Sequence, residues 1–181
     1  MHSESIPAFA SDLVPRGANH LPWYGVRTMS NCEKVASAVL EGKGYEHYLP
    51  LHRVRRRRSD RVVQRELPLF PGYVFCRFDA ARRLPIMTTP GVVSILGFGK
   101  TPVPVPDSEI EAIQAIVRSG MAVEPCPFLQ DGQGIRVQRG SLEGFEGILL
   151  KKKTEWRMVV SLTMLQRSLS VEIDRDSIAA I

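Results

Sequence analysis

Hydrophobic and polar positions change their spacing twice along the chain. Residues 1–20 are rich in Ser, Ala, Pro and Gly and show no sustained period, which predicts a disordered lead-in. Residues 21–121 alternate short strand-like runs with helical stripes, whereas residues 131–181 hold short strand-like runs separated by glycines. The aperiodic segment 122–130, with Pro125 and Pro127, is the candidate linker. The pattern therefore predicts two domains of unlike class.

The segment 21–121 predicts an α+β sandwich. Trp23–Val26 and Tyr73–Phe78 are aromatic and β-branched runs, so both predict strands, and the second predicts a central strand. Apolar residues at helical spacing predict one helix within residues 30–44 and another within residues 108–120. Strands that alternate with helices in this way are typical of an α+β fold.

Both predicted helices begin with the spacing of a capping box. Ser30 lies three residues before Glu33, and Ser108 lies three residues before Glu111. At this spacing a hydroxyl and a carboxylate each accept a hydrogen bond from a free backbone N–H group at the helix start. We therefore expect the two serines to be the N-cap residues.

Residues 45–65 predict a hairpin with a cationic tip. Two extended runs, 45–54 and 61–65, flank consecutive arginines and a Ser59–Asp60 turn. We expect this tip to contact nucleic acid, because arginines at such density repel one another and phosphates relieve the repulsion. A merely solvated tip is the alternative. The seven arginines concerned are Arg53, Arg55, Arg56, Arg57, Arg58, Arg61 and Arg65.

The last fifty or so residues predict a small all-β barrel. Glycines separate the strand-like runs 135–137, 148–150, 158–162 and 169–173. Short strands at such regular intervals, with turn residues between them, are typical of a barrel.

Composition narrows the class of protein. The 181 residues carry a net charge of +5, and the arginine run with Asp60 accounts for 7 − 1 = +6, which leaves −1 elsewhere. No run reaches the roughly 18–20 apolar residues of a membrane span, and Met1–Ala10 lacks a secretory signal, so we expect a cytoplasmic protein. Leu13–Gly17 resembles a thrombin recognition site, so the lead-in is interpreted as native disorder or as a vector remnant.

Motifs that carry chemistry are missing from the sequence. The three cysteines, Cys32, Cys76 and Cys126, form no C-x-x-C pair, so neither a disulfide framework nor a metal site is predicted. The glycines of residues 140–147 do not have the spacing of a phosphate-binding or dinucleotide-binding loop. We therefore expect no enzyme and no cofactor.

An aromatic set leaves two interpretations open. Its members are Trp23, Tyr24, Phe70, Tyr73, Phe75 and Phe78. Alternation along a strand places Tyr73 and Phe75 on one face of the sheet. That face is either ordinary core or an apolar patch that receives a helix from a partner.

Several motifs together resemble the NusG family of transcription elongation factors. The run Pro68–Phe75, which reads Pro-Leu-Phe-Pro-Gly-Tyr-Val-Phe, resembles the family signature, and its form and the long basic hairpin are more similar to the specialised RfaH-like and UpxY-like paralogues. Further matches are Trp23–Tyr24, Tyr48–Leu51 and Thr89–Val93, and in the C-terminal part Gly132–Val137 and Phe145–Gly147, which resemble a KOW barrel.

The resemblance implies a fold and a mechanism. The fold is an N-terminal NusG-type (NGN) α/β sandwich with an antiparallel sheet, followed by a KOW barrel. The implied function is binding to the clamp helices of the largest RNA polymerase subunit, as a monomer, with an effect on pausing or termination. The implied polymerase contacts are Trp23, Tyr24, Phe70, Tyr73 and Phe75.

The resemblance also implies a binding site on the barrel. Met164, Leu165 and Arg167 occupy the loop where the housekeeping factor presents an exposed phenylalanine to the termination factor Rho or to a small-subunit ribosomal protein. Leu165 stands at the position of that phenylalanine, which leaves three alternatives open: binding to Rho, to the ribosomal protein, or to neither. The alternative function is a ribosome- or RNA-associated KOW-type binding module, since small KOW barrels also occur in ribosomal proteins and the chain is basic. A separate α+β domain with an aromatic signature favours the transcription factor, because an RNA-binding barrel alone does not need one.

Overall fold

A computed structural model describes residues 21–57, 62–128, 132–152 and 155–181 of the chain. The lead-in 1–20 and the hairpin residues Arg58 and Arg61 lie outside the described residues, as do the side chains of residues 55–57. No helix in the described ranges is long and apolar enough to cross a membrane.

The part before residue 121 is an antiparallel sheet with helices, so the α+β prediction is confirmed. Its helices are α1 (Glu33–Gly42), α2 (Leu84–Met87) and α3 (Asp107–Ser119), with a 3₁₀ turn at Ala80–Arg82. Its strands are β1 (Trp23–Thr28), β2 (His47–Tyr48), β3 (Leu51–Arg57), β4 (Val62–Pro68), β5 (Tyr73–Arg77), β6 (Val92–Ile95), β7 (Gly97–Phe98), β8 (Thr101–Pro102) and β9 (Pro104–Val105). The main sheet runs β2-β5-β1-β6, and β9 also pairs with β1.

The two faces of this sheet are covered by different elements. On one face, Val26 and Val74 pack with Leu40 of α1 and Ile86 of α2 in a common buried cluster. The opposite face carries Trp23 of β1 and Phe75 of β5, which belong to another cluster. Alternation of side chains along β1 and β5 produces this separation.

The described part of the basic hairpin consists of two paired strands. Strands β3 and β4 form an antiparallel ladder from Leu51 opposite Pro68 to Arg57 opposite Val62. The hairpin therefore projects as a two-stranded arm beside the main sheet, joined to it where β4 leads into β5.

The C-terminal part is all β, as predicted. Its strands are β10 (Val123–Pro127), β11 (Gln133–Val137), β12 (Glu146–Lys152), β13 (Glu155–Leu162), β14 (Arg167–Glu172) and β15 (Ile178–Ala180). They form one antiparallel sheet in the order β10-β14-β13-β12-β11-β15, called the barrel below. Strand β10 lies inside the predicted linker 122–130, so that part of the prediction is wrong: backbone pairing with β14 orders a segment that has no apolar periodicity.

Both predicted capping boxes are absent. Helix α1 follows Cys32 without a side-chain cap, and α3 begins after Pro106, which places Ser108 inside the helix. Glu33 instead makes a tertiary contact: its Oε1 accepts a hydrogen bond of 2.7 Å from the backbone N–H of Gly72. Pro106 is the N-cap residue of α3, with φ −55° and ψ 137°, and no side chain caps this helix.

Candidate protein-docking surface

A tight turn between β4 and β5 presents the aromatic residues of the signature. The backbone N–H of Tyr73 donates to the carbonyl of Phe70 at 3.1 Å, which closes the turn over Pro71 and Gly72. Gly72 has φ +85°, a conformation that residues with a Cβ rarely adopt. The N–H of Thr28 donates to the Gly72 carbonyl at 2.8 Å and so ties the turn to β1. The turn places Phe70 and Tyr73 against the same sheet face.

Four predicted contact residues meet on that face and form what we call the aromatic surface: Trp23, Phe70, Tyr73 and Phe75. The rings of Phe70 and Phe75 meet edge to face, with centroids 6.0 Å apart. This is the arrangement that aromatic quadrupoles prefer. Phe75 is fully buried, whereas Tyr73 lies at the partly buried rim.

Tyr24 is not brought to the aromatic surface. Adjacent strand residues point to opposite faces, so Tyr24 lies with α1 and stacks on Phe78 at a centroid distance of 4.6 Å. The two residues of the signature pair Trp23–Tyr24 therefore lie on opposite faces of the sheet, and only Trp23 belongs to the aromatic surface.

The sequence reasoning missed other residues that complete the same cluster. Tyr48 of β2 and Leu96 pack against the edge of the aromatic surface, and Ile110 and Ile113 of α3 are buried in it. The helical stripe of α3 predicted that its isoleucines are buried, but no local signal told which face of the sheet they would meet.

Burial also changes the chemistry of Tyr48. Its hydroxyl oxygen is buried with no hydrogen-bond partner, and burial raises the pKa of Tyr48 to about 12.

The barrel is docked on the aromatic surface. Leu162, Leu165 and Leu169 are buried in the same cluster as Trp23 and Phe75, and Met164 packs against it. Leu165 is 6% exposed. Because apolar side chains of the barrel pack on this face, Trp23, Phe70 and Phe75 are buried, and Tyr73 at the rim is partly exposed.

Two further contacts mark the boundary between barrel and sheet. The Arg167 guanidinium lies 5.8 Å from the centroid of the Tyr73 ring, within the range of a cation–π interaction. At Gly25, a Cβ would meet Leu96 Cδ1 at 2.6 Å and Leu165 Cδ1 at 3.6 Å. The missing side chain at Gly25 thus leaves room for both leucines at the interface.

The two candidate protein-binding sites therefore contact each other. The predicted barrel residues Met164, Leu165 and Arg167 all face the aromatic surface. Sequence motifs identified both sets separately, but the contact joins the barrel loop to Tyr73, about ninety residues away, and to Trp23, about 140 residues away. No periodicity or spacing in the sequence encodes a contact of this kind.

The cationic hairpin lies outside this interface. Arg65 is exposed, and Arg53 approaches Glu66 only at 3.4 Å, with side chains that are 77% and 49% exposed. Ion pairs in such exposed positions contribute little, so the charge of Arg53 stays available to a ligand. Among the described residues, no group of three or more His, Cys, Asp or Glu side chains has the geometry of a metal site.

The chain combines an antiparallel sheet backed by helices with a small β barrel, and a solved structure shares this fold. A structure of Thermotoga maritima NusG matches with a TM-score of 0.51 at 23% identity, and the match covers 88% of this chain and 97% of that one. The likeness establishes the fold.

The chain belongs to the NusG family, because the family model described as "Transcription termination factor nusG" matches residues 21–114 of its 181 residues. The transcription termination/antitermination protein NusG of Borreliella burgdorferi is 24% identical over 88% of this chain and 98% of that protein. The protein of the same name from Thermus thermophilus is 27% identical over 85% of this chain and 95% of that protein. The expected family is confirmed, and the chain is a NusG-like protein of transcription termination and antitermination.

Proposed function

We propose that this chain binds the clamp helices of the largest RNA polymerase subunit through the aromatic surface and thereby modulates pausing or termination. One observation supports this most: a sheet face with buried aromatic anchors already accepts apolar side chains from a second unit, the barrel. A face that packs against Leu165 and Leu169 has the chemistry to pack against the apolar side of a helix.

The energetics of such a contact depend on few residues. Aromatic side chains at the centre of an interface usually carry most of the binding free energy. Phe70 and Phe75 form the base of the aromatic surface, and Tyr73 stands at its rim. We therefore expect Tyr73 to affect binding directly, and Phe75 to affect mainly the stability of the domain.

Polymerase binding at this face requires the barrel to leave it. We call the form with the barrel docked the closed form, and the form with the barrel released the open form. In the closed form Leu165 occupies the position where a clamp helix would pack. When only the open form binds, the apparent affinity falls in proportion to the fraction of open molecules. The solved Thermotoga maritima structure is likewise described as a domain interaction in NusG.

Opening also uncovers the proposed partner site of the barrel. Met164, Leu165 and Arg167 leave the aromatic surface together, and the same loop then becomes available to Rho or to a small-subunit ribosomal protein. Each of these partners would favour the open form and so assist polymerase binding, because coupling between two sites is reciprocal.

The arginine hairpin supplies a second, electrostatic contact. We propose that it lies against the DNA or RNA of the elongation complex, where arginines release condensed counterions from phosphates. The aromatic surface would determine which enzyme is bound, and the hairpin would determine the nucleic-acid contact. An effect on pausing then requires only tighter binding to one of two polymerase states. The kinship with the RfaH-like and UpxY-like paralogues stays a prediction.

The test compares two tyrosines that lie on opposite faces of one domain. Tyr73 is at the rim of the aromatic surface, and Tyr45 packs, also partly buried, on the face covered by α1. Tyr73→Ala should weaken binding to core RNA polymerase about tenfold or more, as expected for loss of an interface aromatic. Tyr45→Ala should leave the affinity unchanged.

Affinity is measured by titrating labelled chain with core polymerase in the absence of nucleic acid. Circular dichroism confirms that both variants are folded. If the two variants lost affinity equally, the loss would be caused by destabilisation of the domain, and the proposed site would be contradicted.

A further inference from the structure

A carboxylate lies at the interface between α3 and the barrel. Glu109, the third residue of α3, lines a cavity of about 440 Å³ together with residues of β12 and β13. Its Oε2 is buried and has no hydrogen-bond partner. A buried acceptor without a partner is unfavourable, most of all when it carries charge.

The surroundings of this carboxylate oppose its ionisation. Burial raises the pKa of Glu109, whereas the backbone and hydroxyl of Thr163 on the barrel act in the opposite direction and more weakly. The other charged groups that line the cavity are Glu111 on α3 and Glu146 on β12, and both are acidic. Glu146 pairs with Arg136, and Asp107 at the start of α3 pairs with Arg77. No lysine or arginine of the described ranges forms such a pair with Glu109.

The position of Glu109 links it to the contact that covers the aromatic surface. Thr163 immediately precedes Met164 and Leu165, which pack on that surface. Helix α3 also contributes Ile110, the neighbour of Glu109, to the same cluster. Barrel residues of β12 and β13 form the other side of the cavity that Glu109 lines, so release of the barrel would open this cavity to water.

We propose that the ionised carboxylate of Glu109 weakens the docked arrangement of the barrel and so keeps the aromatic surface ready to open at neutral pH. Apolar contacts around Leu165 hold the barrel in place, and the charge of Glu109 opposes them. The effect of this charge on polymerase binding rests on the function proposed above. The equilibrium between docked and released barrel can be measured in the free protein, without polymerase.

The direction of the pH dependence follows from linkage. The pKa of Glu109 is higher in the docked form than its ordinary value of 4.5 in water. The docked form therefore has its full stability below that ordinary value and loses stability as the pH rises through the raised pKa. Acid should close the interface, and neutral pH should loosen it.

The chain provides its own reporter of opening. It has two tryptophans, of which Trp23 is buried in the aromatic surface and Trp156 lies on the barrel. In a full-length Trp156→Phe background, the emission of Trp23 moves to longer wavelength when the barrel leaves. A titration from about pH 4.5 to pH 8 then follows the ratio of closed to open molecules.

Glu109→Gln keeps the shape of the side chain and removes its charge. We expect this variant to show a several-fold higher ratio of closed to open molecules at pH 7.5 and to lose most of the pH dependence of Trp23 emission. Glu41→Gln, an equal charge change at an exposed position of α1 that does not line the cavity, should behave as the parent. Any pH-dependent change elsewhere in the protein is common to all variants and cancels in the comparison.

Parent-like pH dependence in Glu109→Gln would overturn the proposal, and so would a more open variant. Trp23 emission typical of full exposure at every pH would also overturn it, because the barrel would then not be docked in solution. Polymerase is absent from this assay, so a failure of the proposed polymerase site leaves its outcome unchanged.

Discussion

At the scale of single residues, the turn that presents the aromatic surface depends on a distant carboxylate. Glu33 at the start of α1 is buried, and it accepts a hydrogen bond of 2.7 Å from the N–H of Gly72. The same glycine has a positive φ angle and is tied to β1 through Thr28. Phe70 and Tyr73 are held in place by these three constraints.

Replacing this carboxylate should destabilise the N-terminal part of the protein. Glu33→Ala leaves the partly buried Gly72 N–H without this partner, which costs up to about 1–3 kcal/mol. Glu41→Ala, an exposed position on the same helix, should change the free energy of unfolding by less than about 0.5 kcal/mol. Chemical denaturation followed by circular dichroism measures both, and equal losses in the two variants would show that the hydrogen bond contributes nothing.

The sequence predicted which aromatic residues matter better than it predicted which face of the sheet each one occupies. Every aromatic residue singled out from the sequence is buried or partly buried. Alternation correctly placed Tyr73 and Phe75 together, yet the pair Trp23–Tyr24 had to divide between two faces. The sequence predicted that Glu33 and Ser30 form a capping box, which is a local pattern. Glu33 instead accepts a hydrogen bond from Gly72, and that contact depends on tertiary packing, which local spacing does not reveal.

At the scale of elements, the arginine hairpin is the feature that the sequence predicted most fully. The ladder of β3 and β4 follows directly from two extended runs around a turn. Strand β10 is the opposite case: two prolines and no periodicity predicted a linker, but an edge strand tolerates proline where its N–H is not needed for pairing.

Neutralising the hairpin should change how nucleic-acid binding depends on salt. Replacing Arg55, Arg56, Arg57 and Arg58 by Ser removes up to four phosphate contacts, so the slope of log K against log salt for duplex DNA should flatten by up to roughly 3–4. The measurement is fluorescence anisotropy over a range of salt concentrations.

The matched control removes four exposed basic residues elsewhere: Lys34, Arg82, Arg118 and Arg139, each replaced by Ser. This control lowers the net charge equally and should leave the slope close to that of the parent. Equal slopes for the two variants would mean that net charge, and not the hairpin, governs the binding.

At the scale of the whole molecule, the barrel and the sheet cover each other's candidate binding sites. Leu165 faces the aromatic surface, and Arg167 stands over Tyr73. The order of the two units along the chain and their unlike classes follow from composition and periodicity. Their docking does not, because it depends on shape and on apolar area that appear only after both units have folded.

The closed form explains why family motifs alone do not describe the behaviour of this chain. Residues that resemble polymerase contacts are covered by a second unit of the same protein, so their availability is a question of equilibrium. A carboxylate that lines the cavity between α3 and the barrel, Glu109, gives that equilibrium a sensitivity to pH.

The most direct test of the central claim is the affinity of the full chain for core RNA polymerase after the interface is opened. Leu165→Asp places a charge in the apolar cluster and should release the barrel, because a buried unpaired charge is strongly unfavourable. Leu150→Asp makes the same change at a barrel position that is 36% exposed and lies outside this cluster. We predict that Leu165→Asp binds polymerase more tightly than the parent and that Leu150→Asp binds equally well. Unchanged or weaker binding by a folded Leu165→Asp variant would contradict the claim that the barrel covers the polymerase site.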